Sequence, residues 1–155
     1  MNMLETALYN KSNEIEEVKF TSFRKEYASK VLKCGASATD RQRASQDLLN
    51  YLCDKYKIGR VKLTVTTRPR KQIGRNTQLY GYYRPIIKTI CIYNTTAKTD
   101  KAVGIKTFFD TLIHEFIHHY DFEYLKFSAS PHTSGFYKRI SDLKENEIFV
   151  FGSNL

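Results

Sequence analysis

The sequence predicts one small α+β domain, with helices before and after a three-stranded sheet. Apolar and polar residues alternate over 61–66, which is the period of a half-buried strand. Two more strand-like stretches follow, over 80–83 and 86–93. The connections between these stretches are too short for helical crossovers, so we expect a mostly antiparallel sheet. A length of 155 residues suits a single domain.

Two helices are predicted before the sheet. The first covers 4–33, with a break near 10–13, and its glutamates precede its lysines, as the helix dipole favours. The second is capped by Thr39 or Asp40 and runs to about Tyr56. Both helices are most simply scaffold.

Four basic residues lie close together in the predicted loop between the first two strands: Arg68, Arg70, Lys71 and Arg75. The tyrosine-rich stretch 80–83 follows them. Such cations can contact phosphates while tyrosine rings stack on unpaired bases, so this region is the best candidate nucleic-acid interface in the sequence. An ordinary solvated loop, beside tyrosines that pack in the sheet, would show the same pattern.

A longer apolar run, 107–120, contains an HExxH sequence from His114 to His118. On a helix, predicted here over about 105–126, these two histidines project from the same face one turn apart and can hold one metal ion. Glu115 is rotated by ~100° from the first histidine and can reach a water beside the ion without becoming a ligand. This spacing is that of zinc metallopeptidases, in which the glutamate takes a proton from the attacking water.

A chance match on an ordinary surface helix is the alternative for so short a motif. The run is apolar almost all round, however, so its helix should lie in the core. Ionisable side chains there cost free energy unless they are paired or coordinated. All four histidines of the chain also fall between 114 and 132. The sequence therefore favours a zinc site.

The third zinc ligand is expected to be His132, because it lies in a loop beyond the helix from which the chain can return to the metal. Glu145 and Glu147 are the alternatives, and either would give a site of two histidines and one glutamate. A last helix is predicted over 136–145, followed by an apolar tail.

Four further residues near the motif have possible roles. His119 points ~100° away from His118 and is expected to face solvent or to lie behind the ligands. Asp121 is on the same face as His118 and can orient a ligand imidazole through its free N–H. Tyr137 and Tyr120 are candidates for stabilising the charge that develops on the substrate carbonyl oxygen.

Composition places the chain among globular proteins with a basic surface. The net charge is +9, which favours polyanionic partners, although a solvated positive surface would also account for it. The three cysteines, Cys34, Cys53 and Cys91, are widely spaced and suit a reducing compartment. With no apparent signal peptide and no membrane-spanning apolar run, we expect a cytoplasmic monomer without a membrane partner.

The order of these elements and the loop from Pro131 to Phe136 resemble the SprT-like metallopeptidase domain. In that family a histidine in an HG-x-x-F type setting follows the HExxH helix and completes the metal site. The matching positions here are His132 and Phe136, whereas Thr133 stands in place of the glycine. The pair Gly81-Tyr82 followed by Ile90-x-Ile92 is also similar to the family's pattern.

The resemblance implies a zincin-like fold and zinc-dependent proteolysis and, in the family's Spartan branch, digestion of proteins crosslinked to DNA. Many relatives add a cysteine-rich zinc ribbon that three scattered cysteines cannot build, so any DNA affinity must come from this domain. The chain also resembles the compact minigluzincins, which a terminal segment can hold latent. The tail over 149–155 or the N-terminal helix is expected to be that segment if latency occurs here.

We therefore predict a single SprT-like metallopeptidase domain over 1–155, with a core of about 45–145, a helical extension over 1–44 and an apolar tail over 146–155. It would bind Zn²⁺ and cut protein or peptide substrates, including proteins associated with DNA, single-stranded DNA being the favoured form. The alternatives are a nucleic-acid-binding module with an inactive HExxH, and a latent peptidase that acts on a regulator without DNA.

Overall fold

The computed structural model describes residues 1–18, 24–68, 80–96 and 101–145, and these confirm the α+β class. Within them, helices lie on both sides of the three strands in chain order. The elements are α1 (Met3–Glu14), α2 (Glu26–Leu32), α3 (Ala38–Tyr56), β1 (Lys62–Thr66), β2 (Gly81–Arg84), β3 (Thr89–Tyr93), α4 (Ile105–Glu123) and α5 (Ser134–Leu143). Among these helices, none is both long and apolar enough to cross a bilayer.

The N-terminal helices differ from the predicted ones in their ends. The first predicted helix is two separate helices, and the break between them comes later in the chain than the predicted 10–13, since α1 ends at Glu14 and α2 begins at Glu26. Ser37, rather than Thr39 or Asp40, caps α3, because its hydroxyl accepts a hydrogen bond from the Asp40 amide. The boundary moved because Thr39 and Asp40 already lie inside the first turn.

The sheet is mixed, which corrects the expectation of a mostly antiparallel sheet. The strand order is β1-β3-β2, and β3 pairs antiparallel with β2 but parallel with β1. The turn over 85–88 is short and joins β2 and β3 as a hairpin, so the antiparallel arrangement expected for the sheet is confirmed for this pair of strands. β3 therefore lies at the centre of the sheet, and β1 and β2 form its two edges.

Glutamine side chains from α3 cover the outer edge of β1. Gln46 Oε1 accepts a hydrogen bond from the Leu63 amide and Gln42 Oε1 accepts one from the Val65 amide, each at 2.8 Å. Gln46 Nε2 also donates to the Val61 carbonyl at 2.9 Å. These contacts close an edge that could otherwise pair with another chain. No described residue makes equivalent hydrogen bonds to the outer edge of β2.

Helix α4 is a core helix, as its apolar run predicted. Seven of its apolar and aromatic side chains are buried: Phe108, Phe109, Leu112, Ile113, Phe116, Ile117 and Tyr120. They belong to one core that includes the inward side chains of the sheet and of α3. Gly81 lets β2 approach this helix closely, because a Cβ there would lie 2.9 Å from Thr111 Cγ2. The edge strand therefore runs beside the turn of α4 that precedes Glu115.

Helix α1 packs closely against the beginning of α5. The backbone of Gly135 lies so near the end of α1 that a Cβ at this position would be 2.6 Å from the Asn13 carbonyl oxygen, and nearer still to that of Ser12. The Gly135 amide also donates to Asn13 Oδ1 at 3.2 Å. The two helices therefore meet through backbone atoms that have little room to move.

We expect Gly135→Ala to lower the free energy of unfolding by about 1–3 kcal/mol, because the added methyl group overpacks the contact between α1 and α5. Urea denaturation would measure the change. Gly35→Ala is the matched control, since a Cβ at Gly35 meets nothing within 4 Å, and it should change stability by less than about 0.5 kcal/mol. Equal stability of the two variants would contradict the close packing.

Candidate metal centre

The motif residues and the predicted third histidine come together because the chain reverses after α4. Lys126 has a left-handed φ of 61°, and the Phe127 amide donates to the Asp121 carbonyl at 3.0 Å, which ends the helix and turns the chain back. The returning loop places His132 against the face of α4 that carries His114 and His118. Thr133 then caps α5 through its hydroxyl, which accepts from the Phe136 amide.

Three imidazole nitrogens converge on one point. His132 Nε2 lies 3.2 Å from His114 Nε2 and 3.0 Å from His118 Nε2. Three nitrogens at ~2.1 Å from a tetrahedral ion are ~3.4 Å apart, so the arrangement fits zinc. A neutral imidazole has only one N–H, and three rings facing each other cannot satisfy all three lone pairs, whereas a cation accepts them all.

Among the described residues, these three histidines are the one cluster of potential ligands close enough to bind a metal ion. His132 is thus placed as predicted. Glu145 is exposed at the end of α5 and does not belong to the cluster. Glu147 lies outside the described residues. Three imidazoles are compatible with zinc and with other first-row metal ions.

Burial shifts the pKa values of His114, Glu115 and His118. It lowers the pKa of His114 to about 4 and that of His118 to about 3, with the neighbouring imidazoles adding to the shift. Both rings are therefore neutral at pH 7, which is the form that binds a metal ion. Glu115 is only 6% exposed, and its burial raises the pKa of the carboxyl to about 7. A carboxyl with such a pKa can both accept and return a proton near neutrality.

The ring of Phe136 supports all three imidazoles. Its centroid lies 4.5 Å from that of His118, 5.0 Å from His114 and 5.1 Å from His132. Phe136 is fully buried at the start of α5. Because it contacts all three rings, this side chain restricts how the histidine rings can tilt.

Sequence analysis missed two residues behind His118. Its Nδ1 lies 2.7 Å from Ser130 Oγ, which donates to Asp121 Oδ2 at 2.7 Å. Asp121 therefore reaches the histidine through Ser130. Arg139 holds Asp121 with two hydrogen bonds of 3.1 and 2.8 Å, and both side chains are fully buried. The available signal was an arginine three residues after Phe136, on the inward stripe of α5, where a buried charge needs an acidic partner.

His119 is buried rather than facing solvent, and it is not a member of the cluster. Its Nε2 lies 2.7 Å from the Gly59 carbonyl oxygen and its Nδ1 lies 2.8 Å from the Tyr83 hydroxyl. Because a carbonyl only accepts, Nε2 carries the hydrogen and the Tyr83 hydroxyl donates to Nδ1. His119 thereby connects α4 to β2 and to the loop before β1.

Of the two tyrosine candidates, only Tyr137 lies beside the cluster. Its ring centroid is 5.9 Å from that of His132 and 6.2 Å from that of His114, and the residue is 49% exposed. Tyr120 is buried against Tyr56, with ring centroids 5.0 Å apart, and belongs to the core. Its predicted contact with substrate is therefore wrong, whereas a role for Tyr137 stays a prediction.

The predicted nucleic-acid contacts are mostly outside the described part of the chain. Arg68 is exposed just after β1. Arg70, Lys71 and Arg75 lie outside the described residues, as does the tail over 149–155, which together with the N-terminal helix was a candidate for a segment that holds the protein latent. Contact with DNA and terminal latency both stay predictions.

A cleft of about 760 Å³ opens between α4 and β2 and contains the motif residues. The histidine cluster and Glu115 line it from α4 and the returning loop. Tyr82, Tyr83 and Ile86 line it from β2 and the turn after it, and Phe122 lines it from α4. The cleft thus has aromatic and apolar walls on both sides of the histidine cluster.

We expect the wild-type protein to bind a single zinc ion, and His132→Ala to weaken that binding by more than the ~10–100-fold that is typical for loss of a supporting residue. Competition titration against a chelator would measure the affinity. Glu145→Ala is the control and should bind zinc as the wild type does, since Glu145 is remote from the cluster. If Glu145→Ala weakened zinc binding and His132→Ala did not, Glu145 would be the third ligand instead of His132.

Comparisons with models of known protein families, with curated proteins and with solved structures find no match to this chain. The resemblance to SprT-like domains therefore depends on the motif residues and their order, and the zincin-like fold stays a prediction. Function has to be argued from the chemistry of the site.

Proposed function

We propose that the protein is a zinc-dependent endopeptidase that hydrolyses peptide bonds in extended segments of protein substrates. The observation that carries the proposal is that three imidazole nitrogens converge inside an open cleft, with His132 Nε2 at 3.2 and 3.0 Å from the other two. The buried carboxyl of Glu115 lines the same cleft. This combination provides a metal ligand set, an acid–base group and room for a polypeptide.

Each motif residue has a distinct part in the proposed reaction. His114, His118 and His132 would hold the ion. Bound zinc supplies Lewis acidity, which makes water more acidic and polarises a carbonyl group. Glu115 accepts the proton that the attacking water loses and then donates it to the leaving amine. Its position next to His114 on α4 keeps it beside the ligands without joining them.

The outer edge of β2 is proposed as the place where substrate binds. The Tyr93 amide donates to the Tyr80 carbonyl, so these two residues form a hydrogen-bonded pair of the antiparallel ladder. Such pairs alternate along a ladder, and the N–H and C=O groups of Gly81 and Tyr83 therefore point away from β3. An extended substrate can pair with these groups as an added strand.

Recognition through the backbone would tolerate many substrate sequences, because the hydrogen bonds involve groups that nearly every residue has. The covered edge of β1 cannot serve in this way, since Gln42 and Gln46 occupy it. DNA-associated proteins are the finer proposal for the natural substrates, supported by the +9 net charge and by the basic stretch from Arg68 to Arg75 in the sequence.

We expect Glu115→Gln to lower the rate of casein cleavage by ~10²–10⁴-fold, because the amide cannot accept the proton. Zinc binding should be unchanged, since Glu115 is not a ligand. Glu123→Gln, on the same helix but paired with Lys88 at 2.6 Å outside the cleft, is the control and should cleave as the wild type does. Cleavage by Glu115→Gln at the wild-type rate would refute the proposed mechanism.

A second prediction concerns the conformation of the substrate. A disulfide-bonded protein should resist cleavage in its native state and be cut after reduction and alkylation, because only an unfolded segment can add to the edge of β2. Gel electrophoresis of both forms over time would measure the difference. The Glu115→Gln variant should leave both forms intact, which controls for contaminating proteases. Equal cleavage of native and unfolded forms would exclude binding by strand addition.

A further inference from the structure

A continuous set of buried and partly buried hydrogen bonds joins the end of α1 to His118. We propose that Ser130 and the Asp121–Arg139 pair are positioning residues, which hold His118 as the Nδ1–H tautomer with Nε2 free for a metal ion, and that α1 completes this support. The inference rests on the proposed zinc site. It adds three residues and one helix to what the HExxH motif and His132 already explain.

The direction of the hydrogen bonds follows from the groups involved. Ser130 has one hydroxyl hydrogen and donates it to Asp121 Oδ2, which as a carboxylate only accepts. The hydroxyl oxygen must therefore accept in its contact of 2.7 Å with His118 Nδ1, so Nδ1 carries the hydrogen. His118 Nε2 is left with its lone pair, and it is this atom that faces His132.

The Asp121 carboxylate cannot readily turn away from Ser130. Arg139 holds both of its oxygens, and neither side chain of the pair is exposed. Loss of either partner would leave an uncompensated buried charge, which is strongly destabilising. The Asp121–Arg139 pair therefore fixes the position of Asp121 Oδ2, which accepts the hydrogen of the Ser130 hydroxyl. The position of this acceptor sets the orientation of the hydroxyl.

The remaining hydrogens of Arg139 are used by α1. Its Nη1 donates to the carbonyl oxygens of Ser12 at 2.7 Å and of Ile15 at 2.5 Å. These carbonyls belong to the C-terminal end of α1, where acceptors lack partners within the helix and a cation is favoured. Ser12 Oγ also lies 3.0 Å from Thr133 Oγ1, next to the third histidine. Helix α1 thus holds the arginine from the side opposite the metal site.

The neighbouring histidine shows that the partner determines the tautomer in this helix. His119 faces the Gly59 carbonyl through Nε2 and the Tyr83 hydroxyl through Nδ1, so it carries its hydrogen on Nε2. His118 faces an accepting hydroxyl through Nδ1 and carries its hydrogen there. Two adjacent residues on one helix therefore have opposite tautomers, and only the tautomer of His118 leaves Nε2 free towards the cluster.

The decisive experiment measures the tautomers directly in the zinc-free, full-length protein. A two-bond ¹H–¹⁵N correlation spectrum at neutral pH should show His118 as the Nδ1–H form and His119 as the Nε2–H form. Ser130→Ala should remove the preference at His118 and leave His119 unchanged, because only His118 loses its partner. Ser130→Thr keeps a hydroxyl and should restore the wild-type pattern.

Zinc affinity provides the second measurement. Ser130→Ala should weaken zinc binding by ~10–100-fold in a chelator competition, as expected for loss of a group that orients a metal ligand. Ser128→Ala changes an exposed serine of the same loop and should bind as the wild type does. Matching melting temperatures of the two zinc-free alanine variants would separate positioning of the ligand from general stability.

The outcomes distinguish this inference from the proposed function. If the wild type binds no zinc, the proposed metal site fails and the inference fails with it. If the wild type binds zinc but Ser130→Ala binds equally well with an unchanged tautomer, the inference alone is overturned. The wild-type spectrum also tests the inference if a variant does not fold, because a His118 found as the Nε2–H form contradicts it.

Discussion

The site depends on one constraint: His132 Nε2 is held 3.2 Å from His114 Nε2 and 3.0 Å from His118 Nε2, and all three nitrogens lie within 4.8 Å of one another. Without a cation they compete for hydrogens, so their neighbours must hold them in place. Phe136 packs against all three rings, and the reversal of the chain at Lys126 brings in the third. The burial of α4 keeps two of the rings neutral. Core packing and ligand geometry are therefore achieved by the same elements.

The two edges of the small sheet differ in whether side chains bond to their backbone groups, and this difference suits the proposed function. The edge of β1 is closed by glutamines of α3, which use side-chain amides in place of a neighbouring strand. The edge of β2 runs along the cleft with the backbone groups of Gly81 and Tyr83 facing outward. Among the described residues no side chain closes this edge as the glutamines close that of β1, and outward backbone groups beside the three histidines suit the proposed use by a substrate.

Two buried arginines join the N-terminal helices to the rest of the domain. Arg139 binds carbonyls of α1, and Arg41 of α3 donates to Asn94 Oδ1 and to the Val103 carbonyl just before α4. Burying a guanidinium costs free energy unless its hydrogens are satisfied, and removal of a partner would be strongly destabilising. The hydrogen bonds of these two side chains hold α1 and α3 against the rest of the domain. From α1, these hydrogen bonds continue through Arg139, Asp121 and Ser130 to Nδ1 of His118.

The sequence by itself determined the features that depend on local periodicity. The spacing of four between His114 and His118, the apolar run around them and the alternation over 61–66 predicted the core helix, the juxtaposition of the two imidazoles and the first strand, because these follow from helix and strand geometry alone. The returning loop also made His132 the favoured third ligand. Only the tertiary structure decided the rest. The pairing of β1 with β3 instead of β2 depends on contacts between residues far apart in the chain. The same is true of the hydrogen bonds that join Arg139 to Asp121 and Ser130 to His118. No local pattern in the sequence records such contacts.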